Sequence, residues 1–217
     1  MARIPLEPGD DHVERLAHEK DPFRAVLELV WNGLDADADK VTVTLERNDL
    51  TEAIEGVVVA DDGHGIAPEA IESAFRWIGN SWKRTTRRTP GKGRPIHGRF
   101  GQGRIRAWAL GTSIEWDTVA DATDGKRFRT KVRGNVADRN HLDPTDPVES
   151  RDATGTTFRA TGREGIDRLG TDQAEEFLTT ALAPHLMSHD QIAVVYDGSR
   201  LDPEQNIAFD TGYVDLT

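Results

Sequence analysis

Between Asp21 and Ala38 the apolar residues recur with the period of an α-helix. Phe23, Val26, Leu27, Val30, Trp31 and Leu34 stand at i, i+3, i+4, i+7, i+8 and i+11. Asp21 followed by Pro22 predicts the start, with a capping carboxylate and a proline in the first helical position. At about 100° per residue, Glu28, Asn32 and Asp35 fall within roughly 60° of one another, away from the apolar stripe. A carboxylate, an amide and a second carboxylate on one face make a donor–acceptor array. They also suit the solvated side of an ordinary amphipathic helix, and the helix alone leaves both readings open.

The pattern then changes period. Lys40 to Arg47 alternates, with Val41, Val43 and Leu45 on one face and Thr42, Thr44 and Glu46 on the other, which predicts a half-buried strand. Gly56 to Ala60 is a short β-branched run, a more deeply buried strand that ends at the acidic turn Asp61 to Ile66. Pro68 opens a helix carrying Ile71, Phe75 and Ile78 and closed by Gly79. A long loop from Asn80 to His97 leads to Gly98–Arg104 and a helix through Ile105, Trp108, Ala109 and Leu110. Ser113 to Ala120 and Lys126 to Arg133 form a hairpin turned by Asp124-Gly125. After the acidic loop 135–153 come a strand at Gly155 to Ala160 and a helix near Asp172 to Ala183, which Pro184 disfavours continuing. A last strand, Ile192 to Tyr196, meets the turn Asp197-Gly198. Helices and strands interspersed without regular βαβ alternation predict an α/β sandwich with a mixed, mainly antiparallel sheet.

Charge sharpens this picture. The chain of 217 residues carries a net charge of −11, which argues against a generally basic nucleic-acid-binding surface. Yet from Arg76 to Arg106 there are ten Lys or Arg residues and no Asp or Glu. So basic a segment in so acidic a chain calls for an anionic partner. There are no cysteines, hence no disulfides and no thiolate-held metal, and no apolar run of membrane-spanning length. The N-terminus lacks the basic and apolar regions of a secretory signal, and the expected location is cytoplasmic.

Three short motifs carry chemistry. Asp61 ends a buried strand and can accept a hydrogen bond from an exocyclic amine such as adenine presents, with Gly63 and Gly65 allowing close backbone approach. Gly98, Gly101 and Gly103 precede a predicted helix, where bare N–H groups bind anions. This is neither the P-loop nor the dinucleotide fingerprint, because Arg106 stands in the place of the third glycine of the latter. His185 and His189 have i, i+4 spacing without an evident third ligand, which favours a solvated helix end over a metal site.

In order, ExxxNxxDA on a helix, DxGxG after a strand, GxxGxG before a helix and Gly155-Thr156-Thr157 on a late strand resemble the GHKL superfamily of ATPases. The first motif is similar to the MutL and MORC type, and GRFGQGR to the phosphate loop of MORC proteins and the ninety-kilodalton heat-shock chaperones. The resemblance spans about Asp21 to Phe158. It implies a Bergerat fold, a two-layer α/β sandwich with helices on one face of the sheet, as a single ATP-binding domain over 1–217. Residues 1–20 would be an N-terminal arm, and residues from about Asp190 could begin a further domain.

The resemblance also implies roles. Glu28 would be the general base for the hydrolytic water and Asn32 would hold Mg²⁺. Asp61 would bind the adenine amine, with Gly63 and Gly65 shaping the pocket. Gly98, Arg99, Gly101 and Gly103 would wrap the phosphates of ATP. Thr156 would support Asp61 through water, Asp35 would anchor the helix, and residues 79–97 would be the ATP lid. Trp31 and Gly33 depart from common residues at their positions without touching a chemical role.

The expected function is a Mg-ATP-hydrolysing conformational switch acting through lid closure and an ATP-dependent homodimer. Turnover should be slow in isolation, because relatives draw a cation from the following domain; Arg99 or Arg104 is the local alternative. A sensor-histidine-kinase-type domain and a non-catalytic nucleotide-dependent module remain as alternatives, with Glu28 disfavouring the first of them. Base stacking by Trp77 and Trp82 is possible, but direct nucleic-acid binding is not favoured.

Overall fold

The computed structural model describes residues 21–76, 87–97, 106–139 and 141–206. The N-terminal arm, Trp77 to Gly79, Trp82 and the loop residues Gly98, Arg99, Gly101, Gly103 and Arg104 lie outside them. Helix α1 runs over Pro22–Asp35, capped by the Asp21 carboxylate, which accepts from the Phe23 N–H at 3.1 Å. Its buried side includes Phe23, Val26, Val30 and Leu34 as expected, and also Ala25, Leu29 and Gly33. Leu27 and Trp31 are only partly buried. The helix is therefore rotated somewhat from the expected stripe, because small residues let its Ala25–Gly33 side meet the sheet closely.

Strands β1 (Lys40–Arg47) and β2 (Ile54–Asp61) pair antiparallel. A 3-10 turn at Pro68–Ala70 leads into α2, Ile71–Arg76. Of the helix expected through Ile105 to Leu110, the described part is helical at Arg106 and tightens to a 3-10 turn at Ala107–Ala109, whose three residues are all buried. Hairpin β3 (Ser113–Asp121) and β4 (Arg127–Asn135) follows, then two-residue strands β5 (Asp143–Pro144) and β6 (Val148–Glu149). Strand β7 (Gly155–Thr161), helix α3 (Asp172–Ser188), β8 (Ala193–Tyr196) and β9 (Ser199–Arg200) complete the order.

All strands join one sheet in the order β5-β4-β3-β7-β2-β1-β8-β9, with β6 also on β4. Among the described residues only β1 and β8 run parallel; the other pairs are antiparallel. Alternation in the strands sends Val41, Val43, Val57, Val59, Ile114, Trp116, Phe158 and Ala160 into the core against α1 and α3. Charged partners such as Glu115 with Arg133 and Glu46 with Arg159 occupy the outward positions. This is the two-layer α/β sandwich with a mixed, mainly antiparallel sheet that the pattern predicts.

Pro184 does not end α3, which continues four residues beyond it. Both Pro184 and Thr180, whose carbonyl loses its helical partner, are exposed, so water can satisfy that carbonyl. Leu182, His185 and Leu186 on the buried side hold the last turn in place. His185 is consequently 5% exposed rather than solvated. It packs edge-on against Trp31 and His97 and stacks on His189. Among the described residues no group of three His, Cys, Asp or Glu side chains could hold a metal ion, and no helix is long and apolar enough to cross a membrane.

Candidate functional site

The end of β2 is where the described residues converge. Asp61 Oδ1 accepts from the Gly63 N–H at 2.9 Å and the Thr156 N–H at 3.3 Å. No described residue donates to Oδ2, which leaves that oxygen to accept from a ligand. Burial pushes the Asp61 carboxyl up to about 6, against the two backbone donors that favour its charged form.

Gly65 is required twice over. Its φ is +69°, and a Cβ there would lie 2.1 Å from the Val119 carbonyl oxygen. A Cβ on Gly33 would lie 2.8 Å from Asp61 Cβ. Gly33 is therefore what lets α1 cross directly over Asp61, a role that sequence reading did not give it.

The Thr156 hydroxyl does not turn to Asp61. It meets the Thr118 hydroxyl oxygen at 3.1 Å, and that oxygen also accepts from the Ile66 N–H at 2.8 Å. Thr156 thus supports the carboxylate through its backbone, while Thr118, fully buried on β3, ties the glycine turn to the sheet. Thr118 was missed because only the β3–β7 register brings it opposite Thr156.

On α1, Glu28 and Asn32 are half-buried one turn apart, and Asp35 is buried. Arg106 Nη1 donates to Glu28 Oε1 at 2.9 Å, with both side chains mostly shielded. Asp35 Oδ1 accepts from the His97 N–H at 3.0 Å, and the His97 ring stacks on Trp31 with centroids 3.8 Å apart. Residues 98–105 are therefore flanked on both sides by contacts to one helix. The two anchor positions, Glu28 and Asp35, are about 10 Å apart along its axis. Trp31 takes part in this flank and is no neutral departure.

Among the described residues, three cations of the basic segment are answered within the chain. Lys92 Nζ pairs with Asp39 Oδ2 at 2.6 Å, Arg94 pairs with Asp39 Oδ1, and Arg106 with Glu28. The hydrogen bonds from Lys92 and Arg94 hold the Asp39 carboxyl below its usual range. His64, inside the glycine turn, is exposed.

The family model described as Histidine kinase-, DNA gyrase B-, and HSP90-like ATPase matches residues 20–157. The chain belongs to this GHKL family of ATPases. Family membership supports ATP binding by the domain. Among solved structures, the chain is similar to the N-terminal domain of a DNA repair protein, with 17% identity and a TM-score of 0.52. That match covers 85% of this chain and 51% of the other. It is also similar to the Aquifex aeolicus MutL ATPase domain complexed with ADP, with 14% identity, a TM-score of 0.46, and 83% and 62% of the two chains covered. The GHKL chain thus spans about half to three-fifths of these structures' lengths. No curated protein matches it.

Proposed function

We propose that this GHKL domain binds and hydrolyses Mg-ATP and acts as a conformational switch in a larger assembly, through lid closure and an ATP-dependent homodimer. The observation that carries the reading is that one helix both packs on Asp61 and contacts the two residues that flank the glycine-rich segment. Through Gly33, α1 lies on the Asp61 acceptor; through Glu28 and Asp35, it holds both flanks of the glycine-rich segment. An adenine amine fits Asp61 Oδ2, the acceptor without a partner. The glycines at 63 and 65 leave the backbone close around it.

Gly98, Arg99, Gly101 and Gly103 would wrap the phosphates. Asn32 offers a hard oxygen donor, half-exposed one turn after Glu28, that suits Mg²⁺. When bound, that ion would neutralise charge on the phosphates. Glu28 is the carboxylate placed to accept a proton from water, and Arg106 fixes its orientation. Because Arg106 is the cation at the base, it joins Arg99 and Arg104 as a local source of positive charge.

Titration with a fluorescent ATP analogue and steady-state phosphate release test the reading. Glu28→Ala should bind ATP and fail to release phosphate, whereas Asp61→Asn should lose affinity. Unchanged phosphate release by Glu28→Ala would sink the base assignment.

A further inference from the structure

Residues 87–97 fold into a tight loop closed by the bridge between Arg88 and Pro95 and by the Thr89 N–H donating to the Arg94 carbonyl at 2.8 Å. The tip of this loop presents three donors to a single carboxylate just beyond the end of α1. Asp37 accepts from the Thr89 hydroxyl, from the Gly91 N–H at 2.8 Å and from the Lys92 N–H at 3.1 Å. Asp37, Thr89 and Arg94 are all buried. Arg94 adds a bond to the Ala38 carbonyl and the ion pair to Asp39.

The backbone at Asp37 is left-handed, with φ of +63°. Glycine is the residue such a turn would take by default, and aspartate is among the few others that tolerate it. Holding an L side chain there is justified by what the carboxylate gathers. Burial works to raise the Asp37 carboxyl, but the Thr89, Gly91 and Lys92 donors outweigh it and the net shift is downward. The group is therefore ionised at neutral pH and acts only as an acceptor, matched to three donors.

We propose that Asp37 is a positioning residue for phosphate binding, fixing the 87–97 loop to the end of α1 so that the chain leaves this loop, at His97, from a set point on the helix that carries Glu28 and Asn32. The last residue of the fixed loop is His97, already bonded to Asp35 of the same helix. Arg94 and Lys92 serve the latch rather than the nucleotide. The inference rests on the nucleotide-binding reading above, and it assigns the start of the phosphate loop to a residue outside the family motifs.

The test compares the 217-residue protein with Asp37→Gly and Asp37→Asn. Glycine accepts the left-handed turn and removes the carboxylate, so the fold should survive with a melting temperature close to that of the original chain. Amide exchange at Gly91, Lys92 and Arg94 should accelerate in Asp37→Gly. Affinity for a Mg-ATP analogue should fall roughly tenfold, the scale of losing a set of hydrogen bonds to a charged group. Affinity for adenosine, which lacks phosphates, should stay unchanged. Asp37→Asn should fall between the two, since an amide nitrogen faces donors.

An Asp37→Gly variant that binds the ATP analogue as tightly as the original chain overturns the proposal. So does one that loses ATP and adenosine equally, which would mean general loosening, and so does unchanged exchange at 91–94. If the unsubstituted chain binds neither nucleotide nor adenosine, the nucleotide-binding reading fails first and takes this inference with it.

Discussion

Asp61 carries a cost in the ligand-free chain. Its carboxyl titrates at about 6, against an ordinary 3.8, because the end of β2 is crossed by α1. Each unit of such a shift is about 1.4 kcal/mol, so replacing Asp61 by Asn should stabilise the ligand-free chain at pH 7 by at most about 3 kcal/mol. The Asn oxygen can keep the Gly63 and Thr156 donors while its nitrogen takes the open Oδ2 position. There it opposes an adenine amine, donor against donor, and ATP affinity should fall tenfold or more, about 1–3 kcal/mol. A denaturation midpoint and an ATP titration on the same variant check both halves. Wild-type affinity would remove the adenine assignment. Arg106→Ala tests the neighbouring pair: Glu28 loses its orienting partner, so kcat should drop roughly tenfold or more while nucleotide affinity holds. A kcat that rises instead would mean that the ion pair restrains the base. The placement of Glu28 and Asn32 on one helix and of Asp61 at a strand end was legible because helix spacing and a strand end are local features of the chain. Arg106 and Thr118 were not, since Arg106 meets a residue 78 positions away and Thr118 one 38 positions away.

At the scale of elements, the described loop 87–97 is held more tightly than its composition suggests. So basic a stretch calls in sequence for an anionic partner, and residues 87–97 find carboxylates within the chain at Asp37, Asp39 and Asp35. Acidic residues just past α1 supply the counter-charge, and only the folded turn brings them to the loop. Amide exchange should therefore find the N–H groups of Thr89, Gly91, Lys92, Arg94, Ile96 and His97 protected before any nucleotide is added. Exchange there at unfolded-chain rates would contradict the pinned loop. The long amphipathic helix and the alternating strands were readable because their periods are set by one face being buried. Pro184 misled because propensity treats every helix interior alike, whereas this proline and the carbonyl it orphans both face water. Pro184→Ala should restore the missing bond and raise stability by about 1–3 kcal/mol, measured by urea denaturation. A neutral or lower value would mean that α3 has adapted its packing to the proline.

For the whole molecule, two buried groups on opposite sides of α1 set the response to acid with opposite signs. His185, against Trp31, is pushed down to about 4, chiefly by burial and then by His97, His189 and Arg94, while Asp35 works in the opposite direction. Its folded value lies below the ordinary 6.5, so its contribution to stability is complete above pH 6.5 and is lost as pH falls towards 4. Asp61 has a folded value of about 6 above an unfolded 3.8, so its penalty is complete above pH 6 and disappears as pH falls towards 3.8. Between pH 7 and 4.5 each amounts to about 2 kcal/mol, and the two nearly cancel. The carboxyls held low by hydrogen bonds, such as Asp37, Asp39 and Asp197, lose their contribution only below that window. The original chain should accordingly show a nearly flat stability from pH 7 to 4.5. Asp61→Asn removes one side of the balance and should lose about 2 kcal/mol over the same interval. His185→Gln removes the other and should gain by a similar amount. Urea midpoints of the three proteins at pH 7 and 4.5 decide it. Parallel pH dependence in all three would show that neither group governs the acid response, and the buried state assigned to His185 would then be wrong.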